Sequence, residues 1–484
     1  MFGVLHLLIQ VLGLLAFAML VPAAIAVVGG DAENAENFLL VAGLTGFVTG
    51  AIFFALRGRP WRLGRFAAFT LVLSVWVVPP LIAAVPIMDG IGINYLSAVF
   101  EAVSAYTTTG ATTLSSLDTV GPAIILWRAE LQWLGGLITL ISIVMIVAPA
   151  GVGGLSNRYL SVLGPAGEGS LSRSLATART VTLIYSGATA FCLCLLIIAG
   201  IPVFDSICIA FATLSTGGLM PVDGTLAGYH RPLAEIVIAV FMLVGATSIV
   251  WQRMILQARW ALVAGHRESY WVIGVALLVG LFYAAEFADN PEIGLSGFAA
   301  LGQGLFTGIS LVTTTGFEVA FDGLAALPIA IAGALAIIGA GTMSTAGGIK
   351  FFRIGGMFVQ SMHEMKRLVY PHSVRSTHFG SQPYDIDLMK AIWAGSIVAL
   401  GFVTVSTLLL TLSHPSFHGG ALAAISAFSN IGALYSAEWD GSAEWPTYAD
   451  FDAFSKLVMV VTMIVGRIEA VALLTLVNLA YWRS

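Results

Sequence analysis

An all-α integral membrane fold, with two N-terminal transmembrane helices followed by four tandem repeats, is what this sequence predicts. Three observations predict it. The chain has 484 residues, of which 58% are hydrophobic and only 10% charged, and its mean hydropathy is +0.94. Soluble domains carry about 25% charged residues. Basic residues gather at alternate gaps between apolar runs. A short hydroxyl-glycine peptide returns four times, each time after an apolar stretch too short to span comfortably.

A bilayer core takes about 20 apolar residues per helix. That measure gives ten spans, at 3–28, 38–56, 66–87, 122–149, 181–203, 233–256, 270–288, 327–349, 388–412 and 454–482. The first run lacks the basic start of a secretory signal. Small residues in VPAAIAVVGG are compatible with signal cleavage, but the second apolar run directly behind it favours a first transmembrane helix.

Cytoplasmic loops collect Lys and Arg. If every span crosses once, one side holds Arg57, Arg59, Arg62 and Arg65, then Arg158, Arg173 and Arg179, then Arg253, Arg259 and Arg267. The same side also holds Lys350, Arg353, Lys366, Arg367, Arg375, Lys390 and Arg483, which makes 17 of the 21 basic residues. The opposite loops are acidic, with Asp31, Glu33, Glu36, Glu318, Asp322, Glu438, Asp440, Glu444, Asp450 and Asp452. Both termini are therefore expected to be cytoplasmic.

Four shorter apolar segments remain, at 93–106, 204–214, 296–312 and 420–429. Their length suits re-entrant or core helices. Each ends in a related peptide: Thr107-Thr108-Thr109-Gly110, Leu214-Ser215-Thr216-Gly217, Thr313-Thr314-Thr315-Gly316 and Ser429-Asn430-Ile431-Gly432. The unit is span, short helix, hydroxyl-glycine peptide, span, repeated in one orientation. Residues 1–60 hold the two extra helices. Repeats 1 to 4 occupy 61–155, 156–262, 263–370 and 371–484. Irregular backbone at membrane depth must be buried in protein or line a wet cavity. Four helix–pore loop–helix repeats can therefore surround a central pore with pseudo-fourfold symmetry. Inward carbonyls would replace the hydration shell of a cation, glycine would supply φ > 0, and the acidic loops would concentrate cations at the mouth.

VFEAVSAYTTTGAT, AFATLSTGGLMP, SLVTTTGFE and AFSNIGAL resemble the four pore loops of the Trk/Ktr/HKT potassium transporters, nearest to the bacterial TrkH type. WRAELQWLGG at 127–136, GAGTMSTAGGIKFFRI at 339–354 and MIVGRIE at 463–469 resemble further helices and the gating loop of that family. The resemblance implies potassium-selective uptake through a channel-like pore in the inner membrane of a bacterium. It implies a homodimer with one pore per subunit and a cytosolic nucleotide-binding regulatory ring as partner. No covalently bound cofactor is implied: potassium is the substrate, and nucleotide enters only through the partner. Carried over by motif, the filter comprises the four peptides above, with potassium at Thr109, Thr216, Thr315 and Ile431. In the plant branch, serine at the position of Gly110 accompanies sodium transport and glycine accompanies potassium selectivity. The fourth loop lacks a Thr run, and the 339–350 loop is poorer in glycine than is usual in the family and carries a Met.

Gly339, Gly341, Gly347 and Gly348, with Thr342, Ser344, Thr345 and Lys350, interrupt the eighth span. Glycine costs about 1 kcal/mol per helical position relative to Ala, so a loop is expected over 339–350. It reads either as a flexible barrier below the filter or as a small-residue packing patch; the family resemblance favours the barrier. Arg467 lies near the middle of the last span, where a charge is costly and faces the bundle interior or water. It would repel a cation, tie down the loop through carbonyl contacts, or form a salt bridge to another helix. Glu469, two positions on, points to a different face. Arg128 and Arg231 are expected to pair with Glu130 and Glu235 near the outer interface.

Other features carry less. Cys192, Cys194 and Cys208 read as packing residues. His363, His372 and His378 fit no metal spacing. GPAGEGS at 164–170 lacks the Lys-Ser/Thr ending of a phosphate loop. The basic 350–390 segment suits contact with lipid headgroups or the regulatory ring. No HExxH, GxSxG or paired intramembrane carboxylates argue for an enzyme, and nothing points to nucleic acid. A secondary transporter coupling potassium to protons or sodium is the alternative. Such proteins show inverted repeats and midplane carboxylates, whereas these repeats run in one direction and the midspan charge is basic.

Overall fold

The structure, a computed structural model, describes residues 2–58, 65–143, 170–289, 295, 297–319, 323–369, 378–379, 382–383, 386–437, 439, 442 and 445–468. Arg59, Arg62, Arg158, most of GPAGEGS, Asp322, His372, Arg375, Glu438, Asp440, Glu444, Glu469 and Arg483 lie outside them. So do the end of the fourth expected span and the last span beyond Ile468.

Helices α1 (Phe2–Ala18) and α2 (Leu20–Val28) together make the first apolar stretch, and α3 (Ala32–Ala55) the second. Asp31 caps α3 by accepting a hydrogen bond from the Asn34 amide at 3.1 Å, which satisfies one of the orphan donors of a helix start. Four units with one plan follow. The first comprises α4 (Arg65–Ile91), α5 (Tyr95–Tyr106) and α6 (Pro122–Ser142); the second α7 (Ser170–Ile198), α8 (Val203–Leu214), α9 (Pro232–Ala246) and α10 (Ile249–Leu256). A short helix, α11 (Trp260–Gly265), leads to the third: α12 (Arg267–Asp289), α13 (Gly297–Val312), α14 (Ile329–Ile338) and α15 (Phe351–Val369). The fourth comprises α16 (Ile386–Leu410), α17 (Phe417–Ser429), α18 (Ala433–Ser436) and α19 (Ala453–Ile468). Two-residue strands pair His378–Phe379 with Gln382–Pro383.

Within each unit the short helix packs against the long helix before it and the helix after it. Between units the pattern is cyclic: α6 packs on α8, α9 on α13, α14 on α17, and α19 returns to α5. The four units thus close into a ring. Small residues allow the tightest of these contacts. A Cβ on Gly304 or Gly308 of α13 would collide with the backbone of Ala284 or Gly280 on α12, which is how helices approach closely without a hydrophobic drive.

Among the described residues seven helices are long and apolar enough to cross a membrane, and the α9–α10 pair makes an eighth if counted as one span. Two of the ten expected spans are modified. The chain bends by 107° between Ala246 and Ile249, so 233–256 is not a straight helix. The carbonyls freed at that break are not orphaned: Ala246 accepts from the Gly341 amide at 3.1 Å and Gly245 from the Thr345 amide at 3.1 Å. In 327–349 only ten residues are helical, and the glycine cluster is a loop of turns and bends.

Candidate functional site

The short helices α5, α8, α13 and α17 end in the same way. Thr109, Gly217, Thr315 and Ile431 each donate their amide to the carbonyl five residues back, at 2.8–3.0 Å, and the residue before each donates three residues back. This is the two-bond helix terminator that requires a left-handed residue. That residue is Thr108 (φ 52°), Thr216 (φ 54°), Thr314 (φ 59°) and Asn430 (φ 53°). A β-branched residue rarely adopts this region, and such strain costs about 1–3 kcal/mol. Repeating it in three loops means that the surroundings impose it.

The same hydrogen bonds correct the register of the second loop. Gly218, at φ +72°, is the counterpart of Gly110 (φ +78°) and Gly316 (φ +79°). The sequence places Gly217 there instead, and with it Thr216 at the level of Thr109; the backbone places Thr216 level with Thr108 and Gly217 level with Thr109. The misreading arises because loop 2 has one hydroxyl fewer before its first glycine. Loop 4 departs too: Gly432 has φ −60° and opens the helical turn α18.

The glycines mark where the loops meet. A Cβ on Gly110 would strike the Gly217 carbonyl of loop 2, one on Gly218 the Thr315 carbonyl of loop 3, and one on Gly432 the backbone of Gly110 and Ala111 in loop 1. One on Gly316 would lie 3.0 Å from the Ala433 side chain, just past loop 4. The ring is closed by the Gly432 amide, which donates to the Thr109 carbonyl at 2.6 Å.

Several buried carbonyls of this ring lack a donor among the described residues, and at one level all four loops lack it. Thr108, Thr216, Thr314 and Asn430 are fully buried, yet among the described residues nothing donates to their carbonyl oxygens. More than nine in ten buried backbone carbonyls have a partner. Here four at one register have none in the protein. The C-termini of four helices, each carrying a partial negative charge of about half an electron, end at the same ring. Together they make an environment suited to a dehydrated cation.

Side chains hold the loops from behind. Oγ1 of Thr107 and Thr109 lie 2.8 Å apart, as do those of Thr313 and Thr315. Ser104 donates to the Ala111 carbonyl at 2.6 Å, and Ser310 to that of Phe317 at 2.7 Å. Glu101, which the sequence reading passed over, is buried on α5. Its Oε2 accepts from Arg128 Nε at 3.1 Å, and its Oε1 accepts from Thr112 Oγ1 and Thr113 Oγ1 at 3.0 and 2.9 Å. Arg128 therefore pairs with Glu101 and not with Glu130, because residues two apart on a helix face different ways. Arg231 lies against Gly200, and forms no ion pair with Glu235 among the described residues.

The 339–350 loop lies against this ring. Gly347 donates its amide to Thr314 Oγ1 at 2.8 Å, and Thr345 Oγ1 donates to the Leu214 carbonyl at 2.9 Å. Arg467 Nε donates to the Thr107 carbonyl, and Nη1 to those of Thr345 and Ala346. Of the three roles weighed for Arg467, its contacts match the carbonyl tie. Lys350 Nζ donates to the Ala346 carbonyl. Glu268, a second carboxylate missed in the sequence, accepts from the Thr342 amide at 2.6 Å and from Thr342 Oγ1 at 2.7 Å. It was missed because it lies in the first turn of α12, 74 positions before the Thr342 it holds.

Comparison with known proteins agrees with this architecture. The sequence model of the family described as TrkH, cation transport protein, matches residues 47–264 and 302–481. The chain is 30% identical to the Trk system potassium uptake protein TrkH of Salmonella typhimurium, over 86% of each chain. It is 28% identical to that of Escherichia coli over 98% of this chain and 99% of the other. The crystal structure of the potassium transporter TrkH from Vibrio parahaemolyticus superposes with a TM-score of 0.85 at 25% identity, covering 100% and 99% of the two chains. The chain belongs to the TrkH family of cation transport proteins.

Proposed function

We propose that this protein takes up potassium across the cell membrane through one channel-like pore per subunit, along the axis of the four-loop ring. The observation that carries this reading is the set of buried, unpartnered carbonyls of Thr108, Thr216, Thr314 and Asn430. Carbonyl oxygens at one register can replace the hydration shell of an alkali cation. The filter then comprises Thr107 to Gly110, Ser215 to Gly218, Thr313 to Gly316 and Ser429 to Gly432. The potassium named in the curated relatives is the cation these loops would select.

Flux is controlled by the 339–350 loop. Thr345 and Gly347 hold it to the ring, Glu268 fixes its Thr342, and Arg467 joins it to loop 1. A cation leaving the ring meets this loop and a buried guanidinium, so conduction requires both to move. The protein sits in the bacterial inner membrane with both termini in the cytoplasm, as the placement of Lys and Arg favours. It works as a homodimer with a cytosolic nucleotide-binding ring. The Trk system named in the relatives supports a membrane subunit within a larger assembly.

Electrical recording of the purified protein in planar bilayers under a potassium gradient, with and without a proton gradient, tests this. Currents reversing at the potassium equilibrium potential in both conditions are expected. A reversal potential that follows the proton gradient would overturn a passive pore.

A further inference from the structure

Loop 2 is the exception in the ring. Where loops 1 and 3 carry Thr109 and Thr315, it carries Gly217, and where they carry Ser104 and Ser310 it carries Ala212. Loop 2 therefore lacks both hydroxyl supports that brace the other two. Its φ does not explain the glycine, because Gly217 is not among the positive-φ residues.

The space explains it. A Cβ on Gly217 would lie 2.5 Å from both Cδ and Nε2 of Gln132. Gln132 reaches there from α6, the helix that follows loop 1, and donates from Nε2 to the Gly217 carbonyl at 2.8 Å. The residue is fully buried, and its Oε1 has no hydrogen-bond partner. A buried polar atom left unpaired costs about 1–3 kcal/mol, so an apolar side chain would fill this space better if filling were all that mattered. The same Nε2 lies 3.8 Å from where a Gly110 Cβ would be, so the amide sits at the seam between loops 1 and 2.

We propose that Gln132 is a positioning residue for ion selection. Its amide replaces, from another helix, the side-chain support that loop 2 lacks, and it sets the height of the Gly217 carbonyl. Gly217 and Gln132 are then a complementary pair: glycine leaves the room, and glutamine uses it. This rests on the ring being the selectivity filter.

The pairing gives a rescue test. Purified wild type and variants are reconstituted, and the K⁺/Na⁺ permeability ratio is read from bi-ionic reversal potentials, with size-exclusion profiles confirming folded protein. Gln132→Ala should lower the ratio about tenfold, the worth of one well-placed hydrogen bond. Gly217→Thr alone should lower it as well, because its side chain collides with Gln132. The double variant Gln132→Ala/Gly217→Thr should recover most of the wild-type ratio, since it restores one of the two hydroxyl supports that loops 1 and 3 carry. Gln132→Met keeps the volume without the donor; it should lose selectivity and should not be rescued by Gly217→Thr. A wild-type ratio in Gln132→Met, or a double variant no better than Gln132→Ala, overturns the pairing while leaving the filter reading intact. A wild type that does not discriminate K⁺ from Na⁺ overturns the filter reading and the pairing with it.

Discussion

The guanidinium of Arg467 joins two carbonyls that lie 238 positions apart in sequence (345 minus 107): Nε donates to Thr107 and Nη1 to Thr345 at 2.5 Å. One side chain thus ties the first loop of the ring to the loop beneath it. Both oxygens are buried, and so is the arginine.

Arg467→Ala is expected to free the 339–350 loop. Hydrogen bonds to a charged donor contribute about 1.5–3 kcal/mol each, so open probability should rise at least about tenfold. Arg467→Lys should fall between, because an ammonium cannot reproduce the planar fork. Single-channel recordings check this; unchanged dwell times in Arg467→Ala would remove the arginine from the gate.

Glu268→Ala leaves the Thr342 amide and hydroxyl without the carboxylate that now accepts from both. A loss of about 1–3 kcal/mol is expected. It should appear as a lower Tm in detergent together with a higher open probability. Glu268→Gln should lose less, since one amide oxygen still accepts. A lower Tm with unaltered gating would make Glu268 a purely structural support.

Gly110→Ser places a side chain where the Gly217 carbonyl already lies, at a φ of +78°. The second loop must be displaced. We expect the K⁺/Na⁺ permeability ratio to fall about tenfold or more, equivalent to roughly 1.4 kcal/mol. An unshifted reversal potential in mixed ions would separate Gly110 from selection.

His414 lies beyond the end of α16 in a cluster with Tyr435, Trp445 and Phe451. Its Nδ1 accepts from the Ser416 amide at 3.1 Å, so Nε2 donates to the Tyr435 hydroxyl at 2.8 Å. The bonded form is neutral, and burial holds the imidazole below its ordinary range. A base with a depressed folded-state pKa contributes stability that is complete above the unfolded value, about 6.5. That stability is lost as pH falls from there toward the folded value. Melting curves should therefore shift down between pH 7.5 and pH 5.5, and His414→Asn should flatten that dependence. An equal shift in the variant would assign the effect to other groups.

Much of the scaffold was legible in the chain. Length and hydropathy locate spans because the bilayer imposes a fixed thickness on every crossing helix. The four short helices were legible because a length below that thickness is itself a signal. Thr107 to Gly110 and Thr313 to Gly316 were recognisable as loops, since glycine after hydroxyl residues terminates a helix locally. The glycines at 339, 341, 347 and 348 likewise announced a broken helix.

Other features depended on residues distant in sequence. The bend after Ala246 carries no proline; the amides of Gly341 and Thr345 donate to the carbonyls of Ala246 and Gly245 that it frees. Glu101, Gln132 and Glu268 look like ordinary polar residues until their partners are known.

By itself, then, the sequence determined the membrane class, the fourfold repetition and the loops that interrupt it, because hydropathy, length and glycine act locally. Only the tertiary structure decided the register of loop 2, the bend in α9–α10 and the partners of Arg128 and Arg467. Those are set by whichever backbone groups are left unpaired across the ring, and a burial-driven hydrogen-bond ledger can be balanced only in three dimensions.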